Sequence, residues 1–317
     1  MGERREPGRR HVALVGPTAS GKSELALALA SERAEAELVC VDSMSVYRHM
    51  DVGTAKPSPE QRARVPHHLL DLVDPEEEFT VRQFQKAAGQ ALAQIEERGH
   101  RALLVAGTGL YLRAVVDDLE LPGRWAEVAR ALESEADRPG GLVRLYSRLS
   151  WLDPQAATRI EPGDRRRVVR ALEVTIGSGR RFSSFGPGLG CYPTTRFVLV
   201  GFTFDPELNG VRIEERFESM LRAGLLDEVR ALAARPGGIS RTARQALGYR
   251  ELLAHVEDGV PLEEAVTEAR ARTKAFARRQ WAWFRRDPRI CWLDPSGDQL
   301  SQLLELWDAA QGRAVGD

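Results

Sequence analysis

Gly16-Pro17-Thr18-Ala19-Ser20-Gly21-Lys22-Ser23 fits the pattern G-x-x-x-x-G-K-[ST] and stands between an apolar run, His11 to Val15, and a helical run, Glu24 to Arg33. Strand, glycine-rich turn and helix in that order make a phosphate cradle. Successive backbone N–H groups curl round phosphate oxygens, the lysine reaches the outer phosphate, and the Ser23 hydroxyl meets Mg²⁺. Glycine lets the backbone approach that closely. The helix beginning at Gly21 adds the positive end of its dipole. The motif is the nucleotide-binding, ATP-binding kind and sets the fold class: α/β, a P-loop NTPase-like core with a parallel sheet flanked by helices. It leaves open which phosphate compound binds and what becomes of it.

The 317 residues are 43% hydrophobic, enough for one large or two modest cores. Net charge is −1, so whole-molecule charge names no partner, but 29% charged residues with arginine far ahead of lysine direct attention to local clusters. Three widely spaced cysteines, Cys40, Cys191 and Cys291, form no C-x-x-C pair and imply a reducing compartment without disulfides or zinc. No apolar run approaches the roughly 18 residues of a membrane span, and the first residues are charged, so neither anchor nor secretory signal is expected. The cytoplasm is the expected location and a monomer the expected state.

After the cradle helix, Leu38-Val39-Cys40-Val41 reads as a buried strand ending in Asp42-Ser43. The carboxyl edge of an open α/β sheet is where ligands bind, so Asp42 faces the cradle. It can equally cap a helix or hold Mg²⁺ through water. Asp51 to Asp71 is rich in breakers and lacks periodicity, a long loop with short pieces of structure. His67 and His68 have no carboxylate or cysteine at ligand spacing and read as structural. A helix from Val81 to Gly99 and a strand from Arg101 to Ala106 imply a right-handed parallel crossover, and the turn Gly107-Thr108-Gly109 puts the Thr108 hydroxyl beside the cradle.

From Leu121 to Tyr192 helical patches rich in arginine and alanine are broken at Pro139-Gly140-Gly141, Pro154, Pro162-Gly163 and Gly186-Pro187-Gly188. This reads as an inserted all-helical domain, residues 121–192, within a core formed by residues 1–120 and 193–317. Seven arginines lie between Thr158 and Arg181, and Arg166, Arg167 and Arg170 can share a helix face. Phe197 to Phe204 restores a strand. A helix from Val211 to Ala223 leaves Arg216 at the margin of its apolar stripe, where it can reach into a pocket. Val229 to Arg250 carries five arginines and no acid, and Arg270 to Arg286 interleaves seven basic residues, Arg278 and Arg279 among them, with Phe276, Trp281, Trp283 and Phe284. Arginine with aromatic rings suits splayed single-stranded RNA, the rings stacking on bases. A solvated basic face whose rings serve the core is the alternative. Arg289 to Leu293 reads as a last strand and Leu300 to Ala310 as a closing helix.

Together these words resemble the tRNA dimethylallyltransferase family from near the N-terminus to about Leu293. The resemblance rests on the cradle, Val41-Asp42-Ser43-Met44, Met50-Asp51-Val52-Gly53-Thr54-Ala55-Lys56-Pro57, Pro66-His67-His68-Leu69-Leu70-Asp71, Gly107-Thr108-Gly109-Leu110-Tyr111, Arg170-Ala171-Leu172-Glu173 and Arg244-Gln245-Ala246-Leu247-Gly248-Tyr249-Arg250. It implies transfer of a dimethylallyl group from dimethylallyl diphosphate to the exocyclic amine of the adenosine 3′ to the anticodon in tRNA. The implied roles are Asp42 as base, Thr108 as a hydrogen-bonding group, and Lys22, Arg216 and Mg²⁺ on Ser23 as stabilisers of the leaving diphosphate. The anticodon stem-loop is expected to meet Asp42, Ser43, Met44 and Ser45, the arginines Arg166, Arg167 and Arg170 of the insertion, the word Arg244, Gln245, Gly248, Tyr249 and Arg250, and Arg278 and Arg279. The family usually has Gln where Ser45 stands, a second Gly at Ala106 and often Thr at Ser23. Ser23 keeps the hydroxyl, whereas Ser45 lacks an amide for a base edge. No zinc-finger pattern follows, which points to the bacterial type.

A P-loop kinase of a nucleoside or small metabolite shares the cradle and Asp42 but leaves the basic C-terminal half without a purpose. An RNA-binding NTPase switch lacks support, because there is no N-K-x-D guanine-reading motif and no acid ends the Arg101 to Ala106 strand. An adenylate isopentenyltransferase needs neither the insertion nor the basic helices.

Overall fold

A computed structural model describes residues 10–310. The stretches 1–9 and 311–317 assigned to the core lie outside the described residues. The elements run β1 (His11–Val15), α1 (Lys22–Glu32), β2 (Ala36–Val41), α2 (Pro59–Arg64), β3 (His67–His68), α3 (Val81–Glu97), β4 (Arg101–Ala106), α4 (Gly109–Val116), α5 (Ala126–Ala136), α6 (Gly141–Leu152), α7 (Pro154–Ala157), α8 (Arg165–Ser178), β5 (Phe197–Gly201), α9 (Pro206–Arg222), α10 (Leu225–Ala233), α11 (Tyr249–Asp258), α12 (Leu262–Phe284), β6 (Ile290–Trp292) and α13 (Gln299–Ala309). They divide into two compact units, Asp118–Pro193 and the rest.

The larger unit is built on a six-stranded parallel sheet in the order β3-β2-β4-β1-β5-β6. The central strands β1, β2, β4 and β5 are mostly apolar because both faces are covered, with His11, Glu37 and Arg101 as the buried polar exceptions. Alternation assigns each side chain to a face: Ala13, Val15, Val39, Val41, Leu104 and Ala106 join one core with α3, α9, α10 and α11, while Val12, Leu14, Leu38, Leu103 and Val200 join another with α1 and α13. Arg101 is fully buried, stacked 4.0 Å from the Trp307 ring centroid, with Nε and Nη2 donating to the Arg10 carbonyl. Capping boxes at Ser58/Gln61 and Thr80/Gln83 fix where α2 and α3 begin.

The long loop expected from Asp51 to Asp71 is a pinned scaffold. Lys56 is enclosed and its Nζ donates to the Tyr47 carbonyl, Asp51 and Asp71, each at 2.6 Å. His68 joins His100 and Arg98 on the Glu37 carboxylate, and His67 bonds the Val65 carbonyl, so both histidines are structural. Burial pushes the Glu37 pKa up, but hydrogen bonds from Arg98, His68 and His100 outweigh it and hold the group at about 2. Cys40 lies in β2, where burial and the charge of Asp42 push its thiol up to about 12; Cys191 and Cys291 are exposed.

Unit Asp118–Pro193 packs α5, α6, α7 and α8 around Leu132, Leu145, Leu149, Val168 and Leu172, and no strand occurs among its residues. Asp153 caps α7 and also binds Ser183 through its backbone N–H and hydroxyl. At its margin the larger unit is locked by Asp117, fully buried and bridged by Arg113 and by Arg289 at 2.7 Å, and by Thr195 Oγ1 donating to the Val116 carbonyl at 2.6 Å.

Candidate active site

The sheet order gathers three loops at one edge. β1 ends in the cradle, its neighbour β4 in Gly107-Thr108-Gly109, and the next strand β2 in Asp42. The loops therefore stand side by side, with Thr108 between Asp42 and the cradle.

Residues 16–21 wrap from β1 to α1. Gly16 and Pro17 are buried while Ser23 is exposed at the start of α1. Gly16 is favoured by crowding: a Cβ there would lie 3.1 Å from Ser20 Oγ and 3.2 Å from Phe202 Cβ. Gly21 has φ 92, and Ala19 also takes a left-handed φ of 58, a conformation the spacing alone does not reveal. Lys22 Nζ donates to the Pro17 carbonyl at 2.5 Å across the loop. Burial and the nearby Arg216 charge lower the Lys22 pKa from 10.5 to about 7, against a smaller upward pull from Asp42. Arg216 on α9 is likewise half-buried; burial lowers its pKa while Asp42 and Glu24 raise it. Lys22, Arg216 and Asp42 thus share one electrostatic neighbourhood, two cations and one carboxylate, which suits an anion.

Asp42 divides its two oxygens. Oδ1 accepts from the N–H groups of Met44 at 2.7 Å and Ser45 at 3.2 Å, capping a turn rather than a helix. Oδ2 has no hydrogen bond among the described residues and lies 3.9 Å from where a Gly107 Cβ would stand. A proton acceptor therefore remains. Thr108 precedes α4 at its N-cap position but makes no side-chain cap bond, so its hydroxyl is unspent on the helix. Ser45 is buried and its Oγ has no hydrogen-bond partner among the described residues.

Mg²⁺ fits this donor set. No cluster of three His, Cys, Asp or Glu able to hold a metal occurs among the described residues; the exposed Ser23 hydroxyl at the start of α1 is a single donor of the kind that suits a cation keeping several waters.

The RNA-facing expectations divide. Ser43 and Met44 are half-buried beside Asp42, and Arg166, Arg167, Gln245, Arg250, Arg278 and Arg279 are exposed. Others already have partners within the protein. Arg170 bonds Glu173 at 2.8 Å and the Pro122 and Gly123 carbonyls, and Arg244 forms a two-point pair with Glu257. Tyr249 is 1% exposed; its hydroxyl donates to Glu228 at 2.5 Å and accepts from Gly53 N–H, and its ring occupies the place of a Gly53 Cβ. Gly248 is buried at φ 84. The words Asp51 to Pro57 and Arg244 to Arg250 are therefore built to meet each other, which corrects the expectation of RNA contact through Gly248 and the Tyr249 side chain. On α12 Phe284 is buried, half-buried Trp283 occupies the place of a Gly109 Cβ, half-buried Trp281 packs edge-on with Trp292 at 4.9 Å, and half-buried Phe276 lies under the Arg279 guanidinium.

Two polar residues at the cradle escape a reading of the sequence, Gln280 and Asn209. Each is 7% exposed and bonded to the Thr18 backbone. The available signal for Gln280 was position: it falls on the stripe of Ala269, Ala277 and Phe284 that α12 buries.

The family model described as "IPP transferase" matches residues 45–287. The tRNA dimethylallyltransferase of Geobacter metallireducens is 46% identical over 290 residues, covering 91% of this chain and 93% of that protein. That of Streptomyces coelicolor is 46% identical over 301 residues, 95% of each chain. Among solved structures, the full-length tRNA isopentenylpyrophosphate transferase of Bacillus halodurans superposes with a TM-score of 0.69 at 34% identity, covering 96% of this chain and 97% of that one. A eukaryotic dimethylallyltransferase acting on tRNA superposes with a TM-score of 0.75 at 27% identity, over 90% of this chain and 74% of that one. With the model and both sequence relatives running through most of its length, the chain belongs to the IPP transferase family.

Proposed function

We propose that this protein is a tRNA dimethylallyltransferase, moving the dimethylallyl group of dimethylallyl diphosphate to the exocyclic amine of the adenosine 3′ to the tRNA anticodon and releasing diphosphate. The observation that carries this reading is the meeting, at one sheet edge, of a phosphate cradle, a crowded Lys22–Arg216 cation pair and a carboxylate with one oxygen left over. The amine nitrogen bonds to the allylic carbon, the C–O bond breaks, and the diphosphate leaves with the electron pair. Lys22, Arg216 and the loop N–H groups absorb the charge that develops on the leaving oxygen. Asp42 Oδ2 takes the amine proton, which becomes strongly acidic only as the new bond forms. Thr108 holds the amine or the bridging oxygen between the two. Mg²⁺ on Ser23, when bound, supplies further neutralisation of the diphosphate. Exposed Arg166, Arg167, Arg250, Arg278 and Arg279 offer phosphate contacts to the anticodon stem-loop, while the target adenine leaves its stack to reach Asp42. Among the described residues no helix is long and apolar enough to cross a membrane.

The test is mass spectrometry of nucleosides from tRNA incubated with the protein, Mg²⁺ and dimethylallyl diphosphate. The expected result is a five-carbon allyl group on one adenosine. Unmodified tRNA, together with phosphoryl transfer from ATP to a nucleoside, would replace this reading with the kinase.

A further inference from the structure

Gln280 lies on α12, 7% exposed, in the midst of a basic and aromatic sequence, and both of its polar atoms are committed. Oε1 accepts from the Thr18 N–H of the phosphate loop at 2.8 Å, and Nε2 donates to the Gly107 carbonyl at 2.7 Å. The amide cannot be turned round without setting N–H against N–H and oxygen against oxygen. The Thr18 peptide is gripped from its other side too, because its carbonyl accepts from Asn209 Nδ2 at 2.8 Å. Asn209 is on α9, seven residues and so two turns before Arg216. One turn beyond Gln280, Trp283 fills the space at Gly109, so α12 holds the Gly107-Thr108-Gly109 turn on both sides of Thr108. Gly107 also neighbours Asp42 Oδ2: a Cβ there would be 3.1 Å from Gln280 Nε2 and 3.9 Å from that oxygen.

We infer that Gln280 is a positioning residue that locks the diphosphate cradle to the Thr108 loop, so that leaving group and attacking amine are held in register. The inference rests on the allyl-transfer reading above. Gln280 spends both of its polar atoms on the protein backbone. The N–H it occupies is that of Thr18, and its substitution acts through the spacing of two loops, where about 1 Å of misplacement is worth up to about 10²-fold in rate.

Two variants test it. Gln280→Met keeps length and apolar fit but loses both bonds; kcat should fall about 10–100-fold, with the dissociation constants of dimethylallyl diphosphate and tRNA within a few-fold of wild type. Gln280→Glu is the sharper probe. A neutral carboxyl reproduces both bonds, C=O accepting from Thr18 and O–H donating to Gly107, whereas a carboxylate meets the Gly107 carbonyl with repulsion. A buried carboxyl facing a carbonyl stays neutral to higher pH than usual, so the rate of Gln280→Glu relative to wild type should recover as pH falls, and that of Gln280→Met should not. Equal losses in both variants at every pH, tracking a lower thermal midpoint, would reduce Gln280 to a packing residue and overturn the inference. A wild type that modifies tRNA beside an equally fast Gln280→Met overturns it alone; a wild type that fails to modify tRNA overturns the functional reading and the inference with it.

Discussion

Lys22 and Asp42 show how a single residue can be both burden and instrument. Burial and Arg216 hold the Lys22 ammonium at a pKa of about 7 against the ordinary 10.5. Between those values the unfolded lysine keeps a proton that the folded one has lost, so folded stability rises with pH across the window and the cost is full below it. Lys22→Met is therefore expected to raise the thermal midpoint of the ligand-free protein at pH 7, with the gain shrinking as pH climbs towards the ordinary lysine range. The same variant should lose at least about 10²–10³-fold in single-turnover rate and keep tRNA affinity within a few-fold. A midpoint difference that does not change with pH would show that the lysine is not held partly neutral. For Asp42, Asn keeps the oxygen that accepts from Met44 and Ser45, so the turn and the melting curve should be unchanged. Loss of the proton acceptor should lower the rate about 10²–10⁴-fold with both substrates still bound. Near wild-type turnover of Asp42→Asn at high Mg²⁺ would instead mark the residue as a metal acid.

At the scale of elements, arginines that look alike in sequence have different employment. Arg167 and Arg250 are exposed, whereas Arg170 neutralises Glu173, whose side chain is 4% exposed and whose other partner is the Trp125 N–H. Arg167→Gln and Arg250→Gln should weaken tRNA binding and flatten its log–log salt slope by up to about one unit for each phosphate no longer neutralised. Arg170→Gln should leave that slope alone and cost about 1–3 kcal/mol of stability by stranding a buried carboxylate. Anisotropy titrations across salt, set beside melting curves, separate the two behaviours. The cradle and strands β1, β2 and β4 were legible because each is a contiguous pattern, a motif or an apolar run. Helix α12 was not, since its charges and rings recur on every side over 23 residues and composition does not say which side meets the sheet. Gln280 and Tyr249 were obscured for the same reason, their partners Thr18, Gly107, Gly53 and Glu228 being remote in the chain.

For the whole molecule, two compact units carry the exposed basic residues between them on a chain of net charge −1, so RNA affinity is a property of where arginines are placed and not of their sum. The three cysteines follow the same division. The Cys40 thiol, pushed up to about 12 inside β2, holds almost no thiolate at neutral pH, while Cys191 and Cys291 are exposed. Maleimide should consume two equivalents under native conditions and a third only after unfolding; a third equivalent without unfolding would show β2 opening. Because Cys191 belongs to the insertion and Cys291 to the sheet-bearing unit, each dye lands on a different body. Labelled with a mixture of donor and acceptor maleimides, the molecules that carry one of each report by energy transfer whether tRNA changes the separation of the two units, without a single engineered cysteine.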